Sequence, residues 1–334
     1  VKAQEGWLLG SAQMQPLRGL LVVDFTRYLP GAFASRELLE LGARVVCVEQ
    51  PGGDPMRATA PAWHAALAAG KESVVVDLKE DASLARGLLG LADVVLESFR
   101  PGVASRLGIG PEHAPATAVY CSITGFGRDG RHAQRAGHDL NYLGWAGVLA
   151  DTAPALPPVQ VADLAAGALG AVTKVLAALL EREKTGRGAH VVVSMTHGSH
   201  RLAAHRLAGE PVPRLLTGGL ACYRIYATAD GRLLTVGALE PVFFRRLAEL
   251  LGRPELAERQ YAAEQEELAA ELAAIFAERP LAAWLDLFEG EDVCVGPVAT
   301  LAEAAVDLAA TADDAVASAP GEHTEAWRAE LGSS

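Results

Sequence analysis

The sequence predicts an α/β fold: a large domain with a doubly wound parallel sheet, followed by a smaller α+β domain. Three observations carry that prediction. The opening third alternates short, β-branched apolar runs with stretches of helical spacing, the pattern of strands buried on both faces with helices between them. A long run rich in Ala and Gly follows at 164–184. A hairpin signal appears only past residue 220, with further helical segments behind it.

Taken in order, strands are expected at Leu20–Phe25, Arg44–Glu49, Ser73–Leu78, Asp93–Glu97 and Val119–Thr124, with helices at Ala34–Leu41 and Leu84–Ala92. In such a domain, ligands sit beyond the carboxyl ends of the strands. Segments after four of the strands read "TRYLPGAF", "EQPGGDPMR", "ESFRPGV" and "TGFGRDG". Each joins Gly or Pro to an Arg; turn chemistry explains them, and a phosphate-bearing ligand is compatible with them. No GxGxxG follows the first strand, so the usual dinucleotide fingerprint is absent. A helix is expected from Leu164 to Lys184, with Asp163 as its N-cap and Gly186 after its end. "AHVVVSM" reads as another strand. In "CYRIYATADGRLLTVGAL" two alternating strands are joined by Asp230-Gly231. Helical segments follow at Pro241–Leu251, Glu264–Ala277 and Leu281–Leu287.

The 334 residues are half hydrophobic and carry a formal charge of −12. That length is enough for one large domain or two smaller ones with a real core. The acidic balance argues against nucleic acid as a partner, because a phosphate backbone needs a basic face. Cys47, Cys121, Cys222 and Cys294 lie far apart with no CxxC. This argues against zinc and redox motifs and fits a reducing, cytoplasmic setting. Residues 1–15 lack the basic-then-apolar order of a signal peptide and read as an extension. The run from Leu164 to Leu180 contains Lys174, and its many small residues make it too short and too weakly apolar for a membrane span. A helix buried in protein is expected instead.

Several residues could carry chemistry. Asp163, at a helix start inside apolar sequence, is either a cap or a partly desolvated proton donor or nucleophile. His138, in "GHDLNYLGWAG", has the side chain suited to a general base near neutral pH, although a structural histidine explains it equally. Asp139 beside it reads as a turn or cap residue. Glu240 closes an apolar strand before Pro241; it either caps the next helix or orients a catalytic His. His197, His200 and His205 have no carboxylate in their cluster, so no metal is expected. Ser194 and Ser199 lack a GxSxG elbow.

Longer stretches then bear on function. "PLRGLLVVDFTRYLPGAFASRELLELGARVVCVEQPGGDP", "KESVVVDLK", "ESFRPGVASRLGIG", "SITGFGRDG" and "LLEREKTGRGAHVVVSM" occur in that order. Together they resemble the family III CoA-transferases, from about Pro16 to Val298 and again at "GEHTEAWRAELG". Within that family the α-methylacyl-CoA racemase branch is most similar, through its Gly-His-Asp-x-Asn-Tyr motif at Gly137, His138, Asp139, Asn141 and Tyr142. The branch's catalytic Asp is matched by Asp163, and its supporting Glu, in Gly-Ala-x-Glu-Pro, by Glu240. The sequence departs from the family at Cys47 and Gln50, where Lys or Arg is frequent, at His197, where Asp is common, and in a shortened stretch after Leu301.

The resemblance implies an acyl-CoA thioester substrate and no separate cofactor, since CoA is part of the substrate. It implies 1,1-proton transfer at the α-carbon of a 2-methylacyl-CoA. His138 and Asp163 act on opposite faces, Glu240 supports His138, and a backbone N–H near Asp139 meets the enolate oxygen. Lys71, Arg100 and Arg128 are the candidate contacts to CoA phosphates. The alternatives are CoA transfer between carboxylic acids with Asp163 as nucleophile, or a CoA-ester binding protein without catalysis. The family's architecture implies a large CoA-binding domain at 16–195 to which 310–334 returns, a linker at 196–219 and a small domain at 220–305. It also implies an interlocked homodimer, with the site shared between the large domain of one subunit and the small domain of the other.

Overall fold

Six strands, all parallel, form the larger sheet in a computed structural model that describes residues 14–209, 214–308 and 315–332. They are β1 (Leu21–Asp24), β2 (Arg44–Glu49), β3 (Glu72–Val75), β4 (Val94–Glu97), β5 (Val119–Thr124) and β6 (His190–Ser194). Their order is β3-β2-β1-β4-β5-β6, so the direction of winding reverses between β1 and β4. A doubly wound sheet opens a crevice at that reversal, beyond the carboxyl ends of the strands.

Alternation along each strand sends neighbouring residues to opposite faces. Val22, Val45 and Leu96 pack against Leu38 of the helix Leu29–Glu40 and Val175 of a later helix. Val23, Val46 and Val95 pack on the other face, with Leu84 and Leu88 of the helix Ser83–Leu91 and with Trp327. Both faces are covered, which is why the strands read as continuous apolar runs.

Contacts divide the chain into two compact units, Val1–His205 with Ala312–Ser334, and Arg206–Thr311. The chain therefore comes back to the first unit near its end. There the N–H of His323 donates to the Ser73 carbonyl at 2.9 Å. Trp327 is 1% exposed, its indole N–H donates to Glu72 at 2.7 Å, and the Arg44 guanidinium lies 4.2 Å from its ring. Trp327→Ala removes a filled volume and leaves that carboxylate short of a donor; a loss of about 3–5 kcal/mol is expected, read as a lower urea midpoint with an unchanged slope. The shortened stretch after Leu301 falls partly on 309–314, outside the described residues, as does most of the 1–15 extension.

The second unit has an antiparallel sheet, β7 (Tyr223–Ala227), β8 (Leu233–Gly237) and β9 (Val295–Pro297), in that order. Gly231 takes φ 74° in the β7–β8 turn, which is what the Asp-Gly pair supplies. Helices Pro241–Leu250, Gln265–Phe276 and Leu281–Phe288 close its core with Phe244, Phe276 and Trp284.

Three expectations need correction. The stretch 196–219 is not simply a linker: Met195–Ala203 is a helix, capped by the Ser194 hydroxyl accepting from the His197 N–H. It is part of the first unit, packed so closely against the helix Ala162–Leu169 that a Cβ on Gly198 would stand 2.7 Å from the Ala166 Cβ. The helix expected to start after Asp163 starts earlier, because Gln160 already accepts from the Leu164 N–H at 2.9 Å. Its first part, Ala162–Leu169, is wound as a wide π-helix, and Gly170–Thr185 continues as an α-helix that ends at Gly186 with φ 69°. The combined helix Ala162–Thr185 is, by length and composition, long and apolar enough to cross a membrane. Its apolar residues Ala168, Ala171, Val175 and Leu179 are instead spent in the core beside the sheet.

Candidate active site

The crevice at the reversal is held open by hydrogen bonds between the loops that follow β1 and β4. Asp24, the last residue of β1, accepts from the N–H and hydroxyl of Thr26 at 2.8 and 2.6 Å. The next N–H, that of Arg27, donates to the Ser98 hydroxyl at 3.2 Å. Tyr28 then opens the helix Leu29–Glu40, and its carbonyl accepts from the Ala32 N–H at 3.2 Å. Tyr28 pays for this fixed path with φ 66° and ψ −171°, a region that only glycine enters freely and that costs another residue on the order of 1–3 kcal/mol.

His138 precedes a short helix, Asp139–Trp145. Its N–H donates to the Asn141 side-chain oxygen at 3.0 Å, and its carbonyl accepts from the Asn141 N–H at 2.8 Å. The Tyr142 hydroxyl donates to the Gly137 carbonyl. A Cβ on Gly137 would stand 2.7 Å from the Tyr142 ring, so that position needs glycine. The Gly-His-Asp-x-Asn-Tyr motif is thus a local scaffold that presents an exposed imidazole.

Asp163 is the second residue of the π-helical turn, not its cap. The cap comes from elsewhere in the chain: Asp139 accepts from the Asp163 backbone N–H at 2.9 Å. Burial, and then the charge of Asp139, push the Asp163 carboxyl up to about 7. Near neutral pH such a group can either give or take a proton.

Two cavities meet at these residues. One, of about 480 Å³, is lined by Arg27, Arg100 and Arg135 together with Phe99. The other, of about 430 Å³, is lined by Leu29, Met56, Trp63, Leu140 and Leu156. The residues lining both are Tyr28, His138 and Asp163. Away from this junction, the Arg-lined cleft shares Arg27 and Phe99 with a third cavity that also holds Gln50 and Lys79. That cavity in turn shares Leu78, Lys79 and Leu107 with a fourth, where Arg86 and Arg106 stand. The four share lining residues in a trail: Lys79, Arg86 and Arg106 with the carboxylates of Glu80 and Asp81 at one end, the His138–Asp163 pair further along, and a largely apolar chamber beyond it.

Of the three cations selected from sequence, Arg100 lines this trail. Lys71 lines a more enclosed cavity that shares Arg27 with the cleft, but its ammonium is buried, donating to the Ala32 carbonyl at 2.8 Å and the Ser35 hydroxyl at 2.7 Å, and burial lowers its pKa. Arg128 lines none of the four cavities and lies 3.1 Å from His190. Lys79, Arg86 and Arg106 line the trail without having been singled out from sequence; for Lys79 the signal was "DLK" after β3, and Arg86 and Arg106 carried none. Glu240 belongs to the second unit, exposed at the start of the helix Pro241–Leu250, where its carbonyl accepts from the Phe243 and Phe244 N–H groups. His138, Asp139 and Asp163 are brought together in the first unit. Among the described residues no group of three or more His, Cys, Asp or Glu side chains is placed to hold a metal.

The family model for CoA-transferase family III matches residues 17–330. The chain belongs to CoA-transferase family III. Human α-methylacyl-CoA racemase is 36% identical over 309 residues, covering 86% of this chain and 78% of the relative. Mouse succinyl-CoA:glutarate CoA-transferase is 32% identical over 320 residues, covering 86% and 73%. A crystal structure of a CAIB/BAIF family protein from Brucella suis superimposes with a TM-score of 0.81 at 28% identity, covering 96% of this chain and 100% of that one. Family III members thus include racemases and CoA-transferases at similar distances from this chain. Acyl-CoA thioesters are the kind of substrate that fits members of this family.

Proposed function

We propose that this chain catalyses 1,1-proton transfer at the α-carbon of an acyl-CoA thioester. The observation that supports this most is the junction, where His138 and Asp163 line both the cation-bearing cleft and the apolar chamber. A thioester at that junction puts CoA on one side and acyl chain on the other. One of the two residues takes the α-proton, and the electron pair moves onto the thioester oxygen as an enolate. The other residue delivers a proton to the opposite face, inverting the centre. The N–H groups of Asp139 and Leu140, ahead of the first intrahelical bond of the helix Asp139–Trp145, stabilise the enolate oxygen.

The apolar chamber supports the racemase reading. No Lys or Arg lines it, so it offers a carboxylated acyl group no countercharge. It suits a branched aliphatic or aryl acyl group. Transfer of CoA between carboxylic acids is the second reading, favoured by relatives of that name and by the presence of Asp163. In it Asp163 attacks the thioester carbonyl, the CoA thiolate leaves, and a mixed anhydride forms. Incubation of several acyl-CoAs in deuterated water separates the two: racemisation puts one deuterium at the α-carbon without any acceptor acid. Product formed only with an acceptor, together with hydroxylamine trapping at Asp163, would establish transfer.

The reading assigns Lys79, Arg86 and Arg106 to the phosphates of CoA. Lys79→Ala and Arg106→Ala are each expected to weaken CoA binding about tenfold, roughly one charge-assisted contact, and dephospho-CoA less if they hold the 3′-phosphate. Calorimetric titration reads both. The reading also includes a homodimer in which Glu240 of one chain supports His138 of its partner by a carboxylate–imidazole hydrogen bond. Light scattering at twice the chain mass is expected, and a monomer that racemises would remove Glu240 from that role.

A further inference from the structure

We propose that Tyr28 is a positioning residue of this site, setting the plane of the His138 imidazole and the width of the passage through which an acyl group reaches the apolar chamber. The inference rests on the proton-transfer reading above. Four observations lead to it. Tyr28 completes the set of residues that line both the Arg-bearing cleft and the apolar chamber; the others are His138 and Asp163. Its ring stands edge-on to the His138 ring, with centroids 6.5 Å apart and planes at 82°. It is 49% exposed, so the fold does not need the ring for its core. Its backbone is held at φ 66° and ψ −171°, where glycine is the unstrained choice.

The strain has an identifiable origin. Thr26 is tied to Asp24, Arg27 to Ser98, and the Tyr28 carbonyl to Ala32. A Cβ on Gly31 would stand 1.9 Å from the Thr26 hydroxyl oxygen, so the helix start lies directly on this loop. The path through residue 28 is therefore set by its neighbours. A tyrosine there, in place of the glycine the backbone favours, adds only what its side chain does: it faces His138 and divides the two cavities. The His138 imidazole is exposed at a helix start, tied there only through the Asn141 turn, and the Tyr28 ring beside it acts as a wall that narrows the rotamers left to it.

The test uses Tyr28→Gly and Tyr28→Phe in the full chain. Tyr28→Gly is expected to lower the rate constant for α-proton exchange about 10–100-fold, the scale of a misplaced catalytic group, with CoA affinity unchanged. Its melting temperature should equal or exceed that of the parent, since the strain is relieved. Tyr28→Phe restores the rate, because the wall is the ring. The preference between α-methyl-branched and straight-chain acyl-CoA should narrow in Tyr28→Gly and return in Tyr28→Phe. A Tyr28→Gly enzyme with parental rate and preference overturns the inference, and so does a Tyr28→Phe enzyme as slow as Tyr28→Gly. The His138 imidazole proton resonances, assigned by their absence in His138→Gln, give a readout independent of turnover. They should move in Tyr28→Gly as the ring current is lost and stay in place in Tyr28→Phe; resonances unmoved in Tyr28→Gly overturn the positioning role. If the parent protein exchanges no α-proton from any acyl-CoA, the proton-transfer reading fails, and these resonances still decide whether Tyr28 sets the imidazole.

Discussion

Replacement of His138 by alanine is expected to abolish inversion at the α-carbon while leaving a remnant of proton exchange on one face only. The rate of racemisation should fall by about 10²–10⁴-fold, the usual contribution of one general acid–base group. The remnant follows from the arrangement: Asp163 still lines the junction, and its carboxyl, pushed up to about 7, can take a proton and exchange it with solvent. With no donor on the opposite face, the carbon recovers its proton from the side that lost it. His138→Ala should therefore incorporate deuterium into one enantiomer of a 2-methylacyl-CoA with retention. Asp163→Asn should do the same with the other enantiomer. The double variant should show neither, and its loss should be far from the sum of the two, because the groups act as a unit. Chiral separation and mass measurement of recovered acyl-CoA read all three. Deuterium incorporation with inversion in His138→Ala would eliminate His138 as the second base. If Asp163→Asn alone loses all activity while His138→Ala is unaffected, the chemistry is transfer through Asp163.

Asp163→Asn should also stabilise the protein, and the gain should depend on pH. The ordinary carboxyl value is 3.8, and burial beside Asp139 raises that of Asp163 to about 7 in the folded chain. The folded state thus holds this proton more tightly than the unfolded state. Between those two values the folded state binds more protons, so stability falls as pH rises, by up to about 1.4 kcal/mol per pH unit, and levels off above the folded value. Because the carboxyl keeps some contact with water, a total near 2–4 kcal/mol is the scale expected. Asparagine has no charge to bury, and its backbone N–H still reaches Asp139. Urea midpoints of the two proteins should be close near pH 4 and diverge through pH 7, with the variant ahead. Asp139→Asn, which removes the neighbouring charge, should move that divergence to lower pH. A difference constant across pH would mean that the Asp163 carboxyl is not perturbed in the folded chain.

All six parallel strands were legible, with only the third misplaced by more than a residue, expected to run to Leu78 where β3 ends at Val75; strands buried on both faces must be runs of apolar, β-branched residues, and that requirement is local. The hairpin at Asp230-Gly231 was legible for a similar reason: the turn imposes its own residues. The order of motifs, from "DFTRYLPG" to Gly-His-Asp-x-Asn-Tyr and Asp163, carried the family and with it His138 and Asp163.

Tertiary structure decided what depends on partners distant in sequence. Asp163 reads as a cap from its neighbours, yet its N–H is capped by Asp139, 24 residues away. Lys71 stood among the candidate phosphate contacts, yet its ammonium donates to the carbonyl of Ala32 and the hydroxyl of Ser35. Lys79 and Arg106 line one cavity only because two loops lie side by side. Tyr28 carries no signal in its own window, because its backbone is set by Asp24, Ser98 and Ala32 together. The sequence by itself determined the layers, the hairpin and the candidate pair His138 and Asp163, since periodicity and motif are short-range properties of the chain. Burial, the raised Asp163 carboxyl and the junction of the two cavities are sums over residues that meet only when the sheet has formed.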